Sequence, residues 1–142
     1  MQLPNEILFP EIERLLSEGH EVMLRTKGNS MFPFIVGDRD SVLLQRNDSV
    51  RVGDIVLAHL PDNYVLHRVY RTTENGIFLM GDGNLCATER CLPDAICGKV
   101  KQIIRRGQVV ECDSPKERWL ADLWRWLLPV RKYILGIWRM LR

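Results

Sequence analysis

The chain has 142 residues, 46 % of them apolar and 27 % charged, which is the composition of a globular protein rather than a disordered or fibrous one. Its length suits one domain with a real hydrophobic core. A net charge of +2 makes no electrostatic case for nucleic acid as a partner, and no run of about 18 apolar residues is present to cross a bilayer.

Residues 1–19 are expected to form an N-terminal helix. Ile7, Leu8, Ile12, Leu15 and Leu16 recur at helical spacing, and Gly19 is a natural stop. Glu6, Glu11 and Glu13 in the same stretch exclude a secretory leader. Residues 20–113 read as a β domain. Expected strands are 21–26, 41–44, 54–60, 64–70, 76–80, 95–104 and 108–111, separated by Gly, Asp and Asn. Asp62-Asn63, Glu74-Asn75-Gly76 and Arg105-Arg106-Gly107 are hairpin signals. Residues 114–142 return to helical spacing, with Trp119, Leu120, Leu123, Trp124, Leu127 and Leu128 on one face. Tyr133, Ile134, Ile137, Trp138 and Leu141 continue it beyond Pro129, which lacks a donor and should split the segment into two short amphipathic helices. The four cysteines, Cys86, Cys91, Cys97 and Cys112, match no zinc spacing and read as reduced, apolar thiols of a cytosolic chain.

Gly28-Asn29-Ser30-Met31-Phe32-Pro33 places a serine in a short turn directly after an expected strand, and His67-Arg68-Val69 follows on a later strand. With Gly37-Asp38, Val52-Gly53-Asp54-Ile55-Val56, Gly81-Asp82-Gly83-Asn84 and Gly98-Lys99-Val100 these make an ordered set over about residues 21–104. The set resembles the serine peptidase superfamily of type I signal peptidases and LexA-type repressors. Most members use a lysine as base. His67 instead resembles the archaeal and endoplasmic-reticulum branch of signal peptidases. The resemblance implies a mainly β fold, a coiled antiparallel sheet assembly of the signal peptidase and LexA C-terminal-domain type. It also implies an extended peptide or protein substrate that adds as a further strand.

The chemistry follows from residue type. A serine hydroxyl needs a neighbouring base, and a histidine can serve near neutral pH. Such a base gains from a carboxylate on its other ring nitrogen. Asp82 is the first candidate for that acid, because its box resembles the one that supplies an aspartate in the histidine branch. A second acid often follows there, but the matching position here is Thr88, with Glu89 one residue on. The expected catalytic set is therefore Ser30, His67 and Asp82, with Glu89 as the lesser alternative. Resemblance makes the Ser30 N–H an oxyanion donor. Gly28 stands where bacterial signal peptidases often add a hydroxyl, and Asn29 is a substitute. Met31 and Pro33 support the turn. The mechanism calls for no metal and no organic cofactor.

The plainer readings run beside these. Ser30 alone is a turn serine, His67 a strand histidine, and Asp82 a turn former. His59 lies outside the family boxes and His20 in a loop, Arg68 serves the fold or a carboxylate, and Asp38 and Asp54 make turns. The C-terminal helices allow three placements: on the sheet, on a partner, or on a membrane surface through Trp119, Trp124, Trp138 and neighbouring Arg and Lys. The leading functional reading is a Ser/His peptidase acting on an extended peptide or leader segment. The alternatives are a degenerate peptide-binding or membrane-surface module, and a self-cleaving regulator of LexA type. The last needs a DNA-binding domain and a scissile Ala-Gly or Cys-Gly ahead of the serine, whereas Cys97-Gly98 lies after it. Without an apolar anchor before Ser30, the expected location is cytoplasmic, with peripheral contact to a membrane surface.

Overall fold

The computed structural model describes residues 5–27, 31, 34–46, 49–83 and 89–141. The helix α1 (Asn5–Ser17) precedes eight strands and two C-terminal helices. The strands are β1 (Val22–Arg25), β2 (Asp40–Gln45), β3 (Ile55–His59), β4 (Tyr64–Thr73), β5 (Gly76–Met80), β6 (Glu89–Cys91), β7 (Ile96–Arg105) and β8 (Gln108–Glu111). All pairings are antiparallel, in the order β1-β2-β7-β3-β4-β5-β6, with β8 also on β7. The expected mainly β architecture with flanking helices is what the chain forms. The strand β6 was not anticipated, since three residues are too few to show an alternating pattern.

Side-chain alternation gives the sheet two apolar faces. One face carries Val42, Leu44, Ile55, Leu57, Val100 and Ile103, and α1 covers it with Ile12 and Leu16. Close packing there depends on Gly98 of β7. A Cβ at that position would lie 2.7 Å from the Gln45 carbonyl oxygen and 3.0 Å from Leu16 Cδ1. The other face gathers Val56, Ala58, Val69, Ile77, Leu79 and Cys91. Irregularities at Leu43/Leu44, Leu57/Ala58 and Val69/Arg71 interrupt the ladders. Such irregularities bend a sheet and sharpen its twist. The β7–β8 turn has positive φ at Arg106 (51°) and Gly107 (80°), as a two-residue type I′ connection requires.

Helix α2 (Pro115–Trp126) starts at Ser114, whose hydroxyl accepts from the Glu117 N–H at 3.3 Å. A short 3₁₀ turn at Leu128–Val130 contains Pro129, and α3 (Arg131–Leu141) follows, so the segment splits as its proline requires. Among the described residues no helix is long and apolar enough to cross a membrane. Cys91, Cys97 and Cys112 are free, and Cys86 lies outside the described residues. Burial pushes the Cys97 and Cys112 thiols up to about 12, so both stay protonated and unreactive near neutral pH.

Candidate active site

Strand β4 carries two neighbouring polar residues to opposite sides of the sheet. His67 pairs with Val56, and Arg68 pairs with Ile55. His67 therefore shares a face with the Val56–Leu79 cluster, while Arg68 lies on the face that holds Ile55. This one-residue alternation decides which acid each can reach.

On the His67 face, β5 pairs with β6 so that Leu79 stands opposite Glu89. Glu89 thus projects on the side of Leu79 and Val69, and its Oε1 meets His67 Nδ1. The histidine side chain is 10 % exposed and the glutamate 28 % exposed. With Nδ1 engaged by a carboxylate, Nε2 is the nitrogen able to exchange a proton with a reacting group.

On the opposite face, Asp82 is held by Arg68. Nε donates to Oδ1 and Nη2 to Oδ2, both at 2.8 Å, which makes a two-pronged pair. The Arg68 Nη1 also donates to the Gly53 carbonyl at 2.8 Å, and the guanidinium lies 4.8 Å from the centre of the Phe34 ring. Burial alone would weaken the charged form of Arg68. The attraction of Asp82 outweighs it and raises the affinity of Arg68 for its proton. The expectation that Asp82 orients His67 does not match this placement. Both Asp82 oxygens face Arg68, and it is Glu89 that reaches the imidazole. The expectation that Arg68 serves a carboxylate matches what is seen.

The loop around Asp82 is also where other segments converge. The Asp82 N–H lies 3.4 Å from Met31 Sδ, so the residue following Ser30 packs against the turn that leaves β5. Met31 is buried with Ile12, Leu16 and Ile35. The strand order has β1 at one end and β6 at the other, and this contact brings the segment after β1 to the segment between β5 and β6. Gly28, Asn29, Ser30, Pro33 and Thr88 lie outside the described residues.

From below, Trp124 of α2 donates its Nε1–H to the Asp82 carbonyl at 2.9 Å. Its ring meets Phe34 edge-on at 6.1 Å, and the Arg131 guanidinium sits 5.0 Å from the ring centre. Trp124 is 6 % exposed, so of the three placements open to the C-terminal helices this side chain takes the one on the sheet. An indole N–H needs a partner once buried, and Asp82 supplies it. The helical spacing could place Trp124 on an apolar face but not say what that face would cover.

Of the two remaining histidines, His59 stacks on Tyr64 with ring centres 4.1 Å apart and pairs with Glu13 of α1 at 3.2 Å, away from the His67 cluster. Asp54 accepts from the Arg51 N–H at 2.9 Å in a turn and from Arg118 at 2.5 Å, so it anchors α2 to the sheet. Among the described residues no group of His, Cys, Asp and Glu is arranged to hold a metal ion.

Comparison with known proteins agrees with this architecture. Residues 2–101 match the Peptidase S24-like family. A LexA repressor from Clavibacter sepedonicus is 31 % identical over 102 residues, which is 70 % of this chain and 44 % of that protein. The chain therefore spans less than half the length of this curated relative.

Proposed function

We propose a serine-type peptidase function for this chain, which belongs to the Peptidase S24-like family. Ser30 is the nucleophile, His67 the general base acting through Nε2, and Glu89, in place of Asp82, the acid that orients His67. The observation that carries the reading is the His67–Glu89 contact on a half-enclosed sheet face. A general base gains from a carboxylate on Nδ1, which fixes the tautomer and stabilises the imidazolium. His59 makes a similar contact with Glu13, but as a half-exposed pair outside the ordered boxes. The buried Met31–Asp82 contact supports it, because it ties the residue next to Ser30 to the segment that leads on to Glu89. The substrate is an extended peptide, as β-addition favours. Ser30 attacks the scissile carbonyl, its proton passes to His67, and the same proton is returned to the leaving amine.

The test is cleavage of an extended-peptide library by the wild-type protein, Ser30→Ala and His67→Ala. Cuts made by the wild type and lost in both variants are expected. Cutting that survives in Ser30→Ala overturns the proposal.

Similarity to a LexA repressor favours a second reading, a self-cleaving regulator. Within residues 1–142 the Cys97-Gly98 dipeptide does not supply the cleavage site that this reading needs. Gly98 pairs with Leu57 inside the sheet, and its backbone is packed against Gln45, so that bond is not offered to a nucleophile. Incubation of the purified chain is expected to yield no specific fragment.

A further inference from the structure

Exposed large apolar side chains are concentrated in one part of the molecule. Trp119, Trp126, Val130, Tyr133, Ile137, Trp138 and Met140 all lie in the C-terminal helices or the turn between them, at 41–85 % exposure. Only Met23, Leu92 and Val109 share that description elsewhere among the described residues. The helix α3 already has an inner face. Leu135 is buried, and Ile134 packs with Trp124, Leu127, Phe34 and Val36. Val130, Tyr133, Ile137 and Met140 form a second stripe with spacings of three, four and three residues, facing solvent. A helix whose only task was to cover the sheet would be polar there.

Charge limits what can cover this stripe. From Arg118 to Arg142 the sequence holds six Arg or Lys and one acid, Asp122, and α3 itself contains no acid. Arg118 is engaged by Asp54, and Arg131 is buried, so these two serve the fold. Lys132 is outside, with its ammonium 5.0 Å from the centre of the exposed Tyr133 ring. A second copy docked through α3 would set cation against cation. An anionic surface would not, and an apolar stripe with Trp, Tyr and Lys at its border suits the depth where headgroups meet acyl chains.

We infer that α3, through Tyr133, Ile137 and Met140 together with Val130 of the turn before it, is an interfacial helix that seats the protein on an anionic lipid surface. The helix lies flat, since its length falls short of a span. Through Trp124 and Arg131, which also contact the Met80–Asp82 segment, the docked helix is fixed to the sheet that carries His67.

The test is flotation of the full chain with phosphatidylcholine vesicles, with and without phosphatidylglycerol, followed by tryptophan emission. The wild type is expected to float with the anionic vesicles and shift its emission to the blue. Ile137→Glu should weaken partition about tenfold or more, since it puts a carboxylate at the centre of the apolar stripe. Lys132→Gln should weaken it roughly fivefold, the equivalent of about 1 kcal/mol per surface cation. Both sites are exposed, so the variants should keep the wild-type circular dichroism and melting curve. Absence of wild-type binding to anionic vesicles at low salt overturns the inference. So does undiminished binding by folded Ile137→Glu, or a dimer in sedimentation that this substitution dissolves. Lipid binding is measured without reference to cleavage, so it stands or falls apart from the peptidase proposal.

Discussion

The two acid–base pairs rooted in β4 use neighbouring residues and opposite rules. Arg68 and Asp82 are 10 % and 1 % exposed, joined by two parallel hydrogen bonds, and flanked by Phe34 and by Trp124 of α2. Each Arg68 nitrogen has an acceptor and both Asp82 carboxylate oxygens are engaged. His67 is as buried as Arg68, at 10 % exposure, but its partner Glu89 is 28 % exposed, and one contact leaves the second ring nitrogen able to exchange a proton. A doubly bonded, buried ion pair holds a fold together, while a pair with spare capacity and a partly exposed acid can do chemistry. The box resemblance pointed to Asp82 as the catalytic acid. The geometry assigns it to the structural pair.

Substitution should separate the pairs. The largest effect is expected from Asp82→Ala, which strands a buried guanidinium and should cost about 3–5 kcal/mol of stability in urea denaturation. A loss under 1 kcal/mol would dissolve the contrast. Next comes Glu89→Gln. It should leave the fold within about 1 kcal/mol, as a partly exposed pair implies. It should nonetheless lower kcat of any cleavage about a hundredfold, because the orienting charge is gone. Unchanged kcat would return the acid's role to Asp82 or to no residue. The smallest is Trp124→Phe, which removes the indole donor to the Asp82 carbonyl and keeps most of the ring. About 1 kcal/mol should be lost, with kcat/KM nearly unchanged if this brace serves the fold alone. A fall in kcat/KM larger than the stability loss explains would show that the brace also positions the site.

Much of the architecture was legible because it is local. Alternation, Gly-containing turns and helical spacing placed α1 and seven of the eight strands close to their final bounds, and Pro129 marked the break between α2 and α3. The role of Arg68 as a carboxylate's partner could also be read, since an arginine beside a candidate base on an apolar strand requires an anion. What alternation could have offered for Glu89 was lost in the brevity of β6. Three residues give no period, and Glu89 acquires a face only when Leu79 pairs with it.

The amino-acid sequence by itself determined the class of fold, the order of its strands along the chain, and the residue types able to act as nucleophile, base and acid. These depend on spacing and on side-chain chemistry, which a linear chain already contains. Tertiary structure decided the partnerships. Whether an acid meets His67 or Arg68 depends on which face of β4 it approaches, and so on the registers of β4 with β5 and of β5 with β6. Whether Trp124 meets water or Asp82 depends on where α2 lands. Both are set by contacts between segments far apart in the chain, and no local pattern encodes them.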